Sequence, residues 1–234
     1  MLFEAEPGHV GKRPPLRLPL KIFARGSRLP LAFWLCVCAA SAQDARTLAR
    51  KIDNHYNHLS TLQASFIEHY QGMGMDRTES GTLLMKKPGM MRWNYDAPSG
   101  KLFILNGKLA YSYTPGDAQA ERTPASKLDD MRSPLRLLLG HAQLEKELAN
   151  ISISGTPQGF RLTGTPKYQQ AGVQSLAVDA SADGIIQSIR IEQSGEASTE
   201  FRFTDIHENL PLADAVFGFL PHAGVTIVDA LAPM

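Results

Sequence analysis

The chain has 234 residues, of which 43% are hydrophobic, and its formal net charge is +1. Six of its 24 lysines and arginines precede residue 43, and the remaining residues carry 18 basic against 21 acidic side chains. This mildly acidic balance argues against a nucleic-acid partner, which would require a basic stripe. Both cysteines, Cys36 and Cys38, also precede residue 43, so no disulfide, catalytic thiolate or cysteine metal site is expected in the rest of the chain.

Residues 1–42 are predicted to be a secretory signal peptide. Their basic residues precede an apolar run, residues 29–38, that is too short to span a bilayer, and residues 40–42 (A-S-A) offer small side chains for cleavage. A retained membrane anchor is the alternative. Because Leu35 and Val37 stand where a lipid-attachment site needs a small residue, we expect a processed chain without a lipid, which in a bacterium is periplasmic.

Residues 43–234 number about 190, which is enough for one well-packed domain, and no linker or repeat divides them. Helical spacing predicts a helix over residues 44–59 with Asp44 as its N-cap. Alternating apolar residues then predict strands, and Asn106-Gly107 predicts a tight hairpin. The strands are expected at residues 62–70, 78–85, 90–95, 102–105, 109–113 and 117–122.

The middle of the chain, residues 126–150, is predicted to be helical. Ser133-Pro134 begins a short apolar helix that ends near Gly140, and residues 143–150 form another. The period of two then returns and predicts strands at residues 151–155, 159–164, 175–180, 185–192 and 200–207, with a hairpin at Asp183-Gly184. The order of helix, strands, helices and strands predicts an α+β fold with a meandering antiparallel sheet.

Patterns that would indicate an enzyme or a metal site are missing from the sequence. His55 and His58 lie three residues apart without the acidic residue of a His-Glu-x-x-His motif, which favours a solvent-facing pair over a zinc site. There is no Gly-x-Ser-x-Gly nucleophile elbow, and Gly107-Lys108 lacks the earlier glycine of a phosphate-binding loop. We therefore expect no catalytic residue, no metal and no cofactor.

The most informative segment is residues 81–98, in which a basic, proline-containing corner joins two apolar strands. Met91, Trp93 and Tyr95 recur at every second residue, so one face of the strand carries all three. Tyr111 and Tyr113 are expected to continue this stripe on a returning strand. The segment and its surroundings hold Met73, Met75, Met85, Met90 and Met91. Such flexible side chains either fill an ordinary core or line an adaptable cavity, and the neighbouring tryptophan favours the cavity.

Five motifs in the same order resemble the family of periplasmic outer-membrane lipoprotein carriers, LolA, over about residues 44–230. They are T-L-Q-A-S-F at residues 61–66, G-T-L-L-M-K-K-P-G-M-M-R-W-N-Y at 81–95, L-N-G-K-L-A-Y-S-Y at 105–113, S-P-L-R-L-L-L at 133–139 and F-x-F-L-P-x-x-G-V-x-I-V at 217–228. The resemblance implies a curved antiparallel sheet that forms an incomplete, half-open β-barrel, covered by short α-helices acting as a lid.

The resemblance also implies a function and a set of partners. A carrier of this family takes acylated lipoproteins from an ABC-type exporter in the inner membrane and shields their acyl chains across the periplasm. It then passes them to the outer-membrane receptor LolB, which shares the fold and is itself anchored by a lipid. The missing lipid-attachment site therefore favours the soluble carrier, which is expected to be a monomer.

The resemblance assigns roles to individual residues. Those expected to bind lipid are Leu62, Phe66, Met91, Trp93 and Tyr95 on the sheet, together with Leu135 and Leu138 on the lid helix. Lys87 stands before the proline, where the family commonly has an arginine associated with lid closure and transfer. Lysine keeps the charge but loses the planar fork of arginine. Arg92 is expected to compensate only if it faces the same side, and a solvated turn is the alternative for the Lys86-Lys87 pair.

Three functions remain open at the level of the sequence. The first is the lipoprotein carrier, and the second is a LolA-like shuttle for glycolipids or other envelope lipids. The third is a structural or sensing domain of the periplasm, which would have a solid core and no cargo.

Overall fold

The computed structural model describes residues 32–128, 136–139, 143–167 and 172–230 of the chain. Twelve strands within these ranges form one sheet. Their bounds are β1 Thr61–Gly72, β2 Met75–Lys86, β3 Met90–Ala97, β4 Ser99–Asn106, β5 Leu109–Tyr113, β6 Gln119–Pro124, β7 Leu148–Thr156, β8 Gly159–Pro166, β9 Val173–Ala180, β10 Ile186–Gln193, β11 Ala197–Glu208 and β12 Thr226–Asp229. The helices are α1 Ala32–His58, α2 Arg136–Leu139 and α3 Leu144–Glu147, with short 3-10 turns at Ala125–Leu128 and Asp214–Phe217.

The sheet is curved and unclosed, as the resemblance implies. Neighbouring strands follow the order β12-β6-β5-β4-β3-β2-β1-β11-β10-β9-β8-β7, so two meandering halves meet where β1 pairs with β11. The antiparallel meander is confirmed with one exception, because β12 pairs in parallel with β6. The chain reaches that edge only after the Asp214–Phe217 turn has packed against β3 and β4.

Helix α1 differs from its prediction at the N-terminal end. It begins at Ala32, so Asp44 lies inside the helix and the prediction that it is the N-cap is wrong. Residues 39–43 (A-A-S-A-Q) contain no glycine or proline that would end a helix, and alanine is the best helix former. In the part of the chain that the structure describes, no helix is both long and apolar enough to cross a bilayer.

The middle of the chain contains less helix than predicted. Among the described residues there, Arg136–Leu139 and Leu144–Glu147 are α-helical and Ala125–Leu128 forms a 3-10 turn, while residues 129–135 and 140–142 lie outside the described ranges. The helix predicted over residues 143–150 is wrong in its second half, since Leu148 begins strand β7 and pairs with Pro166 of β8. Leucine and alanine are compatible with either structure, so the pairing with β8 decides the outcome.

The hairpin between β4 and β5 is confirmed, but its tip is displaced by one residue. Asn106 ends β4 instead of occupying the turn, and its Oδ1 accepts hydrogen bonds from the backbone nitrogens of Lys108 and Leu109 at 3.1 and 2.9 Å. Gly107 takes the positive φ of +90° that the turn requires. The hairpin at Asp183-Gly184 is also confirmed, and a Cβ on Gly184 would lie 2.8 Å from the backbone of α1.

The two faces of the sheet have different covers. We define the inner face as the one that carries Leu62, Phe66 and Trp93, and it packs against helices α1 and α2 in one hydrophobic core. We call these two helices the lid. The outer face of β3–β5 is covered by residues 209–225, which we call the C-terminal segment, and Phe217 of this segment is only 1% exposed.

The C-terminal segment corrects one expectation about the aromatic stripe. Tyr111 pairs with Ile104, which pairs with Arg92, so all three lie on the outer face. The Tyr111 ring stacks on Phe219 with 5.0 Å between centroids, and Tyr113 contacts His222 at 5.6 Å. The expectation that Tyr111 and Tyr113 extend the inner stripe is therefore wrong, because the register of β4 and β5 places them on the opposite side.

Candidate functional site

The predicted lipid-binding residues of the sheet lie together on the inner face. Period-two alternation brings Leu62 and Phe66 of β1 and Met91 and Trp93 of β3 to the same side, and each is at most 2% exposed. Tyr95 follows on the same face and is half-buried. The structure thus assembles all five sheet residues that the resemblance assigned to lipid binding.

An aromatic cluster forms the centre of this face. The Phe66 ring makes edge contacts with Trp93 and Tyr95, with centroids 4.6 and 5.0 Å apart. Phe201 and Phe203 of β11 complete the cluster at 5.4 and 6.4 Å from Trp93. These two residues were not predicted as part of the site, although their period-two spacing on a predicted strand was the signal that could have identified them.

A group of charged and hydroxyl side chains follows the aromatic cluster towards the β1–β2 hairpin. The Tyr95 hydroxyl donates to Glu68 Oε2 at 2.8 Å, and the ammonium of Lys101 lies 4.2 Å above the Tyr95 ring. Glu79 is 4% exposed and forms ion pairs with Lys101 and, at 3.3 Å, with Arg77. Burial, followed by the nearby Glu68 carboxylate, raises the pKa of Tyr95. We call these residues the polar end of the inner face.

The lid covers the opposite, apolar end. Leu138 is 1% exposed within the hydrophobic core, in agreement with its predicted position on the lid, whereas Leu135 lies outside the described residues. The hydroxyl of Tyr56, on α1, accepts a hydrogen bond from the backbone nitrogen of Ile186 at 3.1 Å, which attaches α1 to β10. Among the described residues, the apolar side chains of the inner face are therefore buried against the lid.

A buried aspartate connects the helices above the sheet. Both carboxylate oxygens of Asp53, on α1, accept hydrogen bonds from the backbone nitrogen of Leu144, at 3.2 and 3.0 Å. Leu144 is the first residue of α3. Burial is the largest cause that raises the pKa of Asp53. The hydrogen bond from Leu144 opposes the shift and the negative charges of Glu147 and Glu145 add to it, which together place the pKa at about 6.

The lysine pair at the β2–β3 corner divides between the two faces. Lys87 Nζ donates to the backbone carbonyl of Tyr56 in α1, so this side chain contacts the lid. Lys86 Nζ instead donates to the carbonyl of Leu212 and pairs with Asp214, both at 2.6 Å. Both lysines are partly exposed, and each ammonium group also has a protein partner.

Arg92 faces away from the lid. Its guanidinium donates to the carbonyls of Val216 and Gly218 at 2.9 and 3.4 Å and to Asn94 Oδ1 at 2.7 Å, all on the outer face. Arg92 and Trp93 are neighbours in one strand, and alternation sends them to opposite sides. Arg92 therefore lies on the wrong side of the sheet to compensate for the lysine at position 87.

His55 and His58 each have a protein partner. His55 Nε2 lies 2.7 Å from Glu208 Oε1, and His58 Nδ1 lies 2.6 Å from the carbonyl oxygen of Asn54. Among the residues that the structure describes, no group of three or more histidine, cysteine, aspartate or glutamate side chains could hold a metal ion.

These features define a class of protein: an unclosed antiparallel barrel whose apolar, aromatic inner face lies beneath a lid of helices. The chain belongs to the family of the outer membrane lipoprotein carrier protein LolA, whose sequence model matches residues 57–220. The description of the family names it as a carrier of outer membrane lipoproteins.

Individual relatives agree with this family. An outer-membrane lipoprotein carrier protein of Nitrosomonas europaea is 26% identical over 208 residues, which cover 86% of this chain and 98% of the relative. One of Pseudoalteromonas translucida is 30% identical over 178 residues, which cover 73% of this chain and 82% of the relative. A solved structure of an uncharacterized conserved protein from Thermus thermophilus shares the fold with a TM-score of 0.51, at 11% identity, over 80% of this chain and 99% of that chain.

Proposed function

We propose that this chain is a periplasmic carrier that binds the acyl chains of lipoproteins released from the inner membrane and delivers them to a receptor in the outer membrane. One observation supports the proposal above all others: a member of the LolA family carries an aromatic and methionine-containing inner face that packs against the lid helices α1 and α2. A lid on an otherwise complete apolar face allows that face to be exposed and covered again.

The energetics favour such an exchange. Removing an acyl chain of about fifteen methylenes from water contributes roughly 12 kcal/mol, at about 0.8 kcal/mol per methylene. In the closed protein, Leu138 of α2 and Ile52 and Tyr56 of α1 occupy the same core as the inner face. Cargo replaces one apolar cover with another, so the net free energy of binding is much smaller than the free energy of burying the chain. Release to a receptor is then feasible without a nucleotide.

The residues take the following roles in this proposal. Those that contact acyl chains are Leu62, Phe66, Met91, Trp93 and Tyr95 on the sheet and Leu138 on the lid, together with Leu135, which precedes α2 in the sequence. Lys87 holds the lid closed through its hydrogen bond to α1. Arg92 has no part in closing the lid and secures the C-terminal segment instead.

The proposal also includes export of the chain and the two proteins between which it carries its cargo. Residues 1–42 direct export and are removed, and residues 43–234 act as one monomeric domain. An ABC-type exporter of the inner membrane supplies the acylated lipoprotein, and LolB or an equivalent outer-membrane receptor accepts it.

The test is to purify the protein from a bacterial envelope without detergent and to identify the bound material by mass spectrometry. Triacylated lipoproteins are expected. Free glycolipid as the only cargo would favour the shuttle for other envelope lipids, and a protein that consistently carries no lipid would contradict both functions and favour a structural domain with a solid core.

A further inference from the structure

The indole nitrogen of Trp93 is a buried hydrogen-bond donor without an acceptor. Trp93 is 2% exposed, and its Nε1 has no hydrogen-bond partner among the described residues. The hydroxyls of Tyr56 and Tyr95, the other polar aromatic groups in this core, both have partners. Buried polar groups are nearly always paired, and one that is not costs free energy. An unpaired donor at a binding face therefore indicates an acceptor that arrives with the ligand.

Trp93 lies at the boundary between two chemical environments. Along β3, Met91 precedes it at the apolar end and Tyr95 follows it at the polar end, each about 7 Å away at the rise of a strand. Met91 is fully buried, whereas Tyr95 contacts Glu68 and Lys101. A ligand with an apolar chain and a polar head would place the junction of the two beside the indole.

We propose that the Trp93 indole N–H donates a hydrogen bond to the carbonyl oxygen of an acyl ester or amide in the cargo. This inference rests on the proposed function and specifies which group of the lipid Trp93 binds. The hydrocarbon chain extends past Met91 towards Leu62, and the head group lies at the polar end. The acyl carbonyl is the acceptor located where the chain meets the head, so its position matches that of the indole.

The charges of the polar end favour a neutral ester or amide carbonyl over the carboxylate of a free fatty acid. Two cations, Arg77 and Lys101, are already paired with Glu79, and Glu68 accepts from Tyr95. The group has no spare cation for a carboxylate, and its two glutamates would repel one. The site therefore suits neutral, esterified or amide-linked acyl groups rather than free fatty acids.

The test uses the exported protein purified from a bacterial envelope, in which the proposed removal of residues 1–42 takes away Trp34 and leaves Trp93 as the single tryptophan. The probes are a cysteinyl peptide carrying an S-dipalmitoylglyceryl group and its dihexadecyl ether analogue, each below the concentration at which it forms micelles. We expect the ester to bind about two- to tenfold more tightly than the ether, the range of one net hydrogen bond. The indole ¹H–¹⁵N resonance is expected to move downfield with the ester and much less with the ether.

A matched variant isolates the N–H group. Replacing Trp93 by 3-benzothienylalanine keeps the bicyclic shape but removes the donor, and we expect this variant to bind ester and ether equally. Equal binding of the two probes by the tryptophan protein, with an unmoved indole resonance, overturns the inference and leaves the carrier function standing. An ester preference that survives in the benzothienyl variant also overturns it. If neither probe binds, the carrier function itself fails, and the inference fails with it.

Discussion

The ammonium group of Lys87 donates a hydrogen bond to the backbone carbonyl of Tyr56 and thereby joins the β2–β3 corner to the last turn of helix α1. The last carbonyls of a helix lack intrahelical partners and carry partial negative charge, so they are natural acceptors for a cation. Burial lowers the pKa of Lys87. The contact is one of those that connect the lid to the sheet, and it uses a single donor.

The substitution Lys87→Met is expected to loosen helix α1. Loss of a charged hydrogen bond to a helix terminus, partly screened by solvent, should make the last two turns of α1 open about tenfold more often. Hydrogen exchange of the amides around Ile52 and Tyr56 measures this opening, and Lys87→Arg should restore the protection.

The neighbouring lysine provides the control. Lys86→Met removes an equally large cation from the same corner, but it breaks only the hydrogen bond to Leu212 and the ion pair with Asp214, both on the outer face. We expect exchange in α1 to be unchanged in this variant. If Lys86→Met loosens α1 as much as Lys87→Met does, the hydrogen bond between Lys87 and Tyr56 does not hold the lid.

A second prediction concerns the C-terminal segment. Arg92→Met removes the donor to the carbonyls of Val216 and Gly218 and should expose the segment to proteolysis while Phe66 and Trp93 keep their positions. Cleavage within residues 209–225 is expected to accelerate several-fold, with binding of the acyl probes unchanged. Arg122→Met, which removes only the exposed ion pair with Asp229, should leave the rate of cleavage within this segment close to that of the original protein.

Asp53 predicts a specific dependence of stability on pH. Its pKa is about 6 in the folded protein and near 3.9 when unfolded, so the folded state binds more protons between these values. The contribution of Asp53 to stability therefore falls as pH rises from about 4 to about 6 and is constant above that range. Asp53→Asn, whose side-chain oxygen still accepts from Leu144, should remove this dependence and gain about 1–3 kcal/mol at pH 7.

Urea unfolding at several pH values measures this effect. Asp117→Asn, at an exposed position in the turn before β6, is the matched control and should keep the fall in stability that Asp53 causes between about pH 4 and 6. A profile of Asp53→Asn that parallels that of the original protein between pH 4 and 6 would show that Asp53 does not titrate in this range.

Two neighbouring residues of β1 test the difference between the faces. Phe66 is 2% exposed on the inner face, and Ile67 is 46% exposed on the outer face. Phe66→Ala should lower the free energy of unfolding by about 3–5 kcal/mol and weaken retention of acylated cargo, because the aromatic cluster loses its central ring. Ile67→Ala should cost less than about 1 kcal/mol and retain cargo. Thermal unfolding and lipid analysis of the purified variants measure both effects. Equal loss of cargo in the two variants would contradict the assignment of the inner face as the binding face.

Much of the inner face could be predicted from the sequence because alternation in a strand is a local property. Met91, Trp93 and Tyr95 fall on one side wherever β3 pairs, and the spacing of Leu62 and Phe66 has the same consequence in β1. The motif resemblance supplied the arrangement of these strands in a half-open sheet.

The remainder depended on pairing and on contacts between distant segments. Alternation shows that Tyr111 and Trp93 each have a preferred side, but only the register of β3–β5 shows that the sides differ. The hydrogen bond of Asp53 to α3 joins two residues that are 91 positions apart in the sequence, and the bond of Arg92 to the C-terminal segment joins two that are 124 positions apart. No local sequence pattern predicts contacts at such separations. The end of α3 at Glu147 was likewise decided by pairing of the next residue with β8.

Strand β3 is a wall only one backbone thick, with the proposed cargo on one side and the C-terminal segment on the other. Consecutive residues of this strand are consequently constrained by different contacts. Under the proposed function, Met91 and Trp93 must fit the cargo, while Arg92 must fit the C-terminal segment, whose carbonyls at Val216 and Gly218 it binds. In related carriers that bind different lipids, the inward-facing and outward-facing residues of β3 can therefore change at different rates. A change of cargo is expected to alter mainly the inward-facing residues, which are every second residue of this strand.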